Sequence, residues 1–365
     1  MKRFILCLVL VVLLIMQFAS GCTGSSKPET PQVSYSTAPS YPVSSQATGY
    51  SPPVTTSLPP EPTFISPPPT VLTTEPATNT QSPVQEKTLQ FTWTTDPGIR
   101  LEEASVPNIM RLDDGRFRLY YGGRGGILSA ISEDGLTFTK EPGVRISTGS
   151  GGSMEMIVSD PAPVKLQDGR VRIYYKGANG GGGPGQAVHS IFSAISADGL
   201  NFEKEGIRID SQKTADGGWA SVPEAIILPD GKVRIYYVSN GADVGHGIVS
   251  AISDDGLNFT REGPVLPGYV DPAVIRLADG EYLMLVVSLA MGTSGKTTDA
   301  RPGIYSFTSP DGIHFKDRQP VFSGENNIDP AVIEAGNGIY RVYYWNPMDK
   351  PSVIRSLSGK IAGIP

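Results

Sequence analysis

Internal repetition is the feature of this 365-residue sequence that most constrains its fold. A Ser-x-Asp-Gly-x-x-Phe segment occurs four times, at residues 132–138, 196–202, 253–259 and 309–315. A second pattern has Val-Pro or Asp-Pro, an apolar stretch, a glycine turn and an alternating strand, and it occurs five times, at residues 106–121, 160–175, 222–237, 271–287 and 329–344. Successive copies lie about 50–60 residues apart, which is the length of a four-stranded propeller blade.

The repeats predict an all-β domain over residues 89–365, a five-bladed β-propeller with four-stranded antiparallel blades. Each repeat predicts four short strands, because runs rich in Val, Ile, Tyr and Phe alternate apolar with polar residues and are separated by Asp-Gly turns. The Ser-x-Asp-Gly segments resemble sialidase Asp-boxes, but we interpret them as structural turns. The fifth repeat lacks its last strand, and residues 89–93 resemble it. We expect this N-terminal strand to pair with the last blade and close the ring.

The first 88 residues predict export and tethering. Lys2-Arg3 and an apolar run precede Ala-Ser-Gly-Cys22, which resembles a bacterial lipobox with alanine in the place of the usual leucine. We therefore predict a signal peptide over 1–21 and a lipid on Cys22; an ordinary secretory signal is the alternative. Residues 22–88 are rich in Pro, Ser and Thr, which predicts a disordered linker. The protein is then an extracytoplasmic, membrane-anchored lipoprotein, at the cell surface or in the periplasm, that contacts the membrane only through its lipid.

Charge argues against a nucleic-acid partner. Acidic residues outnumber basic ones by 36 to 30, and no Lys/Arg cluster provides the basic surface that phosphates require.

Loop lengths predict where a site lies. Tight Asp-Gly turns fall on one face of the propeller and long, dissimilar loops on the other, and sites are usually built from irregular loops on a rigid scaffold. The inner strands start on that long-loop face. Strand alternation places one polar side chain from each blade at the channel mouth: Asn108, Asp160, Glu224, Asp271 and Asp329. Converging acids raise one another's pKa, as glycoside cleavage requires, although such carboxylates also cap backbone amides or hold a cation.

Five blades, Asp-Pro at inner-strand starts and a glutamate in the third blade resemble the five-bladed glycosidase superfamily, which includes arabinanases, β-xylosidases, invertases and levanases. The resemblance covers residue 89 to the C-terminus. It implies that Glu224 is the general acid and that Asp160 stabilises the transition state or tunes the acid.

The sequence departs from that superfamily in the first blade. An aspartate serves there as general base or nucleophile, whereas this chain has Val106 and Asn108. Three explanations remain open. Another acid (Asp271, Asp329 or Glu155) activates water, hydrolysis has been lost, or a bound anion such as phosphate attacks, as in the related mannoside phosphorylases.

The remaining candidates are substrate-binding residues on the same face. Arg124 and Lys176 would pair with an anion, and Trp219, Tyr269 and Trp345 would stack on a sugar unless they fill the core. His246 shares a blade and face with Glu224 and would bind a substrate hydroxyl, as would Asn108. With three histidines, a histidine metal site is not expected. No cofactor is required, although Ca²⁺ or another cation could occupy the central channel.

The leading hypothesis is a lipid-anchored glycoside hydrolase-like propeller acting on a neutral glycan. The competing class is a non-catalytic carbohydrate-binding or surface-interaction propeller, which the missing first-blade aspartate favours. A sialidase-like enzyme would need three arginines to meet in the funnel, from the set Arg111, Arg124, Arg172, Arg234 and Arg301.

Overall fold

A computed structural model describes residues 89–181, 187–288 and 301–362. The predicted signal peptide, Cys22 and linker lie outside these residues. The described chain consists of strands, turns and loops, and it contains no helix long and apolar enough to cross a membrane.

Twenty-two strands, β1–β22 in chain order, form five antiparallel sheets, as the repeats predict. Blade 1 contains β3 Ser105–Arg111, β4 Phe117–Gly123, β5 Gly126–Ser132, β6 Thr139–Lys140 and β7 Ile146–Ser147. Blade 2 contains β8 Ile157–Lys165, β9 Val171–Ala178, β10 His189–Ser196 and β11 Glu203–Ile209. Blade 3 contains β12 Ala220–Ile227, β13 Val233–Ser239, β14 Gly247–Ser253 and β15 Thr260–Pro267. Blade 4 contains β16 Val270–Arg276, β17 Tyr282–Ser288, β18 Gly303–Ser309 and β19 Lys316–Ser323.

Blade 5 is assembled from both ends of the domain. It contains β20 Ile328–Gly336, β21 Ile339–Trp345, β22 Val353–Ala362, β1 Gln90–Thr95 and β2 Leu101–Glu102. Strand β1 pairs with β22 along its whole length, so the predicted closure of the ring by the N-terminal strand is confirmed. The ring of Trp93 lies against the backbone of Gly359, where a Cβ would come within 2.3 Å of it.

Neighbouring blades are joined by a repeated contact that uses the Ser-x-Asp-Gly turns. In blade 1, Arg118 donates to the carbonyl of Asp198 (3.1 Å) and the Tyr120 hydroxyl donates to the carbonyl of Gly199 (2.8 Å), both in the turn of blade 2. Equivalent pairs recur three times: Arg172–Asp255 with Tyr174–Gly256, Arg234–Asp311 with Tyr236–Gly312, and Arg341–Asp134 with Tyr343–Gly135. The last pair joins blade 5 back to blade 1.

The interface between blades 4 and 5 differs because blade 5 has no such turn. The arginine and tyrosine positions are occupied there by Leu283 and Leu285, which are fully buried. They belong to a hydrophobic cluster that includes Leu89 and Leu357, and the aromatic rings of β1 pack against it. Hydrophobic burial of the closing strand thus replaces the polar contact of the other interfaces.

Each inner strand begins with a β-bulge at its X-Pro pair. The residue before the proline has φ between 41° and 54° in all five blades (Val106, Asp160, Val222, Asp271 and Asp329), and the strand register shifts at each site. Aspartate tolerates this left-handed conformation, whereas a β-branched valine pays about 1–2 kcal/mol for it. The regular two-residue alternation predicted at these strand starts is therefore wrong.

Candidate active site at the channel mouth

Glu224 and Asn108 meet across the channel. They lie on inner strands β12 and β3, which are separated by the whole of blade 2, and the Asn108 amide nitrogen donates to Glu224 Oε2 (2.6 Å). The orientation of the amide is fixed because Asn108 Oδ1 accepts from the backbone N–H of Ile109 (2.7 Å). The backbone N–H of Val274, on β16, donates to Glu224 Oε1 (3.2 Å).

The environment of Glu224 lets its carboxyl hold a proton at a higher pH than a solvated glutamate does. The residue is only 7% exposed, and burial raises its pKa to about 7, although the hydrogen bonds from Asn108 and Val274 work in the opposite direction. Both partners are donors, so a proton on Glu224 is directed at neither of them. Such a proton is available to an acceptor atom of a bound molecule.

The aspartates of blades 2 and 5 are each bonded to a side chain on the second strand of the same blade. In both blades, this second-strand residue pairs with the residue immediately before the Asp-Pro dipeptide. Lys176, on β9, contacts Asp160 Oδ2 with its ammonium at 2.5 Å, and Trp345, on β21, donates its indole N–H to Asp329 Oδ2, also at 2.5 Å. Lys176, expected to pair with an anion, lies within β9 and pairs with a carboxylate of its own blade.

The three aspartates form one electrostatic cluster. The backbone N–H of Asp329 donates to Asp271 Oδ2 (3.4 Å), which joins blades 4 and 5. Burial raises the pKa of Asp271 to about 7 and, together with the charges of Asp271 and Asp160, places that of Asp329 well above its usual range. Burial opposes the charge on Lys176, but the carboxylates outweigh it, with Asp160 first, so the pKa of Lys176 is raised.

The described residues contain no group of three or more His, Cys, Asp or Glu side chains placed to share a metal ion. The sequence left open whether Ca²⁺ or another cation occupies the channel. In the structure, the positive charge beside Asp160 is the ammonium of Lys176.

His189 is a site residue that the sequence analysis missed. It begins β10 rather than lying in a loop, and its ring stacks on Trp219 with centroids 3.6 Å apart. Its Nδ1 lies 3.1 Å from Ser221 Oγ, and burial and the neighbouring Lys176 charge lower its pKa to about 3. A neutral imidazole and a half-buried indole thus form an aromatic wall next to the cluster. The signal that could have found it is positional, because His189 and His246 each lie seven residues before the serine of their Ser-x-Asp-Gly turn.

Four other predicted residues lie elsewhere. Arg124 is exposed at the tip of the β4–β5 turn, and His246 bonds Asn240 within its own loop. Tyr269 is 6% exposed in the hydrophobic core shared by blades 3 and 4, so it fills the core, which is the alternative that the sequence left open. Glu155 is held by Tyr175 and by Lys204 on the outer strand β11, away from the channel.

The arginines that a sialidase would need do not converge. Arg172 and Arg234 pair with Glu205 and Glu262 on outer strands and contact the turns between blades. Arg111 lies over the ring of Phe117, and Arg301 is exposed. The sialidase-like alternative therefore has no support in this arrangement.

Five antiparallel sheets around a channel with carboxyl groups at its mouth define the protein as a five-bladed β-propeller of the architecture found in several glycoside hydrolase families. It is similar to a family 117 glycoside hydrolase from the marine bacterium Zobellia galactanivorans (TM-score 0.58, 17% identity, 74% of this chain and 90% of that one). It is also similar to a thermostable family 43 glycoside hydrolase (0.54, 16%, 73% and 91%). A family 32 β-fructofuranosidase from Bombyx mori matches with a TM-score of 0.54 at 15% identity, over 73% of this chain but only 61% of that one.

At these identities the similarity shows the fold. No protein-family model matches the sequence, and no curated protein matches it either.

Proposed function

We propose that this protein is an extracytoplasmic, lipid-anchored glycoside hydrolase that acts on a neutral glycan, with Glu224 as its general acid. The observation that carries the proposal is the buried Glu224 carboxyl at the channel mouth, whose pKa is raised to about 7. A carboxylic acid that stays protonated near neutral pH is what cleavage of a glycosidic bond requires on the leaving-group side.

The surroundings of Glu224 support this role. Its two hydrogen-bond donors hold the carboxyl in place while leaving its proton for the glycosidic oxygen. The wall formed by His189 and Trp219 offers the apolar surface on which a sugar ring stacks. Asp160, ion-paired with Lys176, provides fixed negative charge near a developing oxocarbenium ion. Glycoside hydrolases that share the fold support the proposed reaction class.

Lipid attachment at Cys22 and a linker over residues 22–88 would hold the propeller outside the cytoplasm, where polymeric glycans are accessible. Growth with a radiolabelled fatty acid tests the anchor, since the label should enter the wild-type protein and not the Cys22→Ser variant.

Sugar release by the full-length protein from a panel of neutral glycans, with and without phosphate, tests the activity. We expect release without phosphate and a loss of at least 100-fold in Glu224→Gln, the range of general acid catalysis. Glu203→Gln, on the exposed edge of β11, is the matched control and should leave the rate unchanged.

A second candidate is a carbohydrate-binding propeller without catalysis, which the first-blade residues Val106 and Asn108 favour. Glycan binding by both the wild type and Glu224→Gln, with no release by either, would establish it. Release that depends on phosphate would indicate a phosphorylase instead.

A further inference from the structure

The second strand of each blade determines what its X-Pro side chain can do. In each blade, one second-strand residue pairs with the residue immediately before the X-Pro pair. From blade 1 to blade 5 these second-strand residues are Gly122, Lys176, Val238, Val287 and Trp345. In blades 1 and 3, valine at the X position faces an apolar neighbour: Val106 lies against Gly122, and Val222 and Val238 share a hydrophobic cluster.

The aspartates differ in how their carboxylates are satisfied. Asp160 has the Lys176 ammonium and Asp329 has the Trp345 indole N–H. In blade 4 the same position of the second strand has Val287, opposite Val270, and this buried side chain offers no hydrogen bond. Among the described residues Asp271 accepts one long bond, on Oδ2, from the backbone of Asp329. Asp271 is 8% exposed, and among the described residues its Oδ1 accepts no hydrogen bond, so that oxygen keeps its capacity to accept one.

We propose that Asp271 is the general base of the reaction. It takes the role of the first-blade carboxylate that this chain lacks, since the first blade has Val106 and Asn108 instead. This inference rests on the proposed function and chooses among the acids that the sequence left open. Asp160 and Asp329 are committed to their partners, and Glu155 lies away from the channel.

The ionisation of the cluster agrees with this role. Asp160 and Lys176 form an ion pair, and burial together with the charges of Asp271 and Asp160 raises the pKa of Asp329 well above its usual range. Asp271, with a pKa raised to about 7 by burial, is the member that ionises near the working pH, as a general base should.

The acid and the base are then linked through β16. The backbone N–H of Val274 contacts Glu224, and Asp271 precedes Val274 by three residues on that strand, at the bulge. A general base that activates water implies inversion, which requires roughly 6.5–9.5 Å between the two carboxyl groups, against about 5 Å in retaining enzymes. Asp271 would take a proton from water while the water oxygen bonds to the anomeric carbon. The bond to the leaving oxygen breaks, and Glu224 gives that oxygen its proton.

The experiment compares the full-length wild type with Asp271→Asn and, as a matched control, Asp254→Asn, which changes an exposed carboxylate. Rates are measured across pH on a substrate that the wild type cleaves, and ¹H NMR follows the anomeric configuration of the first product. Circular dichroism and thermal unfolding establish that each variant is folded.

We expect inversion by the wild type and a loss of 10²–10⁴-fold in kcat for Asp271→Asn, with KM nearly unchanged and the acidic limb of the pH profile gone. Asp254→Asn should keep the wild-type rate and both limbs, because this exposed carboxylate lies in the turn between β14 and β15. A wild type that releases no sugar overturns the proposed function and this inference together. Release with retention, or an Asp271→Asn variant that is folded and within threefold of the wild type, overturns the base assignment alone and leaves Glu224 standing. If thermal unfolding shows Asp271→Asn to be unfolded, Asp271→Glu decides, and it must retain the acidic limb.

Discussion

Replacement of Lys176 by methionine tests the electrostatics of the cluster most directly. The ammonium lies 2.5 Å from Asp160, and the two side chains are 17% and 4% exposed. Removing it leaves Asp160 as a buried carboxylate without a cation. Breaking such a pair costs about 3–5 kcal/mol of unfolding free energy, whereas replacing both members by neutral side chains costs far less.

The assay is urea unfolding at pH 7.5 and at pH 4, followed by tryptophan fluorescence, since Trp219 and Trp345 both lie at the site. At pH 7.5 we expect Lys176→Met to lose 3–5 kcal/mol, and the Asp160→Asn/Lys176→Met double variant to recover most of it. At pH 4 the deficit of the single variant should shrink, because Asp271, whose pKa is raised to about 7 by burial and lowered by the Lys176 charge, is then neutral and one carboxylate fewer lacks its cation.

Lys204→Met is the matched control, because its bond to Glu155 is more exposed, at 34% and 21%, and should contribute less than about 1 kcal/mol. A deficit in Lys176→Met that is below 1 kcal/mol at pH 7.5, or equal at the two pH values, would refute the view that Lys176 compensates the buried carboxylates.

Further expectations concern pH, the blade interfaces and closure. The kcat/KM of the wild type should follow a bell centred near pH 7, rising as Asp271 loses its proton and falling as Glu224 loses its own, each with a pKa of about 7. Glu224→Gln should unfold at a higher urea concentration than the wild type at pH 8. Because folding raises the pKa of Glu224 from 4.5 to about 7, the protonated carboxyl contributes its full stability below about pH 4, and this contribution is lost as the pH rises towards 7. The loss in unfolding free energy is up to ~3 kcal/mol. Tyr236→Phe removes one buried bond to Gly312 and should cost about 0.5–1.5 kcal/mol in the same unfolding assay. Deleting residues 89–95 exposes the edge of β22 and should give oligomers by light scattering.

The repeats predict the blades well because strand alternation and turn chemistry are local and recur five times. Closure by the N-terminal strand could also be predicted, since the fifth repeat visibly lacks a strand. The bulges could not, because they depend on a left-handed residue before proline, most unexpectedly at Val106 and Val222. His189 and His246 occupy the same position in neighbouring blades, so only the three-dimensional arrangement shows which of them lies beside Lys176.

The absence of an aspartate from the first blade suggests, from the sequence alone, that hydrolysis has been lost. In the structure, Asn108 at this site has a different consequence. An aspartate at position 108 would place a second carboxyl against Glu224, and the two would compete for one proton. Asn108 instead donates a hydrogen bond and holds the glutamate in place without adding charge. The other carboxyl groups lie on blades 2, 4 and 5, where Lys176 compensates part of their charge. A binding protein gains little from a buried carboxyl that titrates near pH 7 at the expense of stability, whereas a hydrolase uses that property in every turnover. The separation of a neutral acid from an anionic cluster therefore favours catalysis over binding alone.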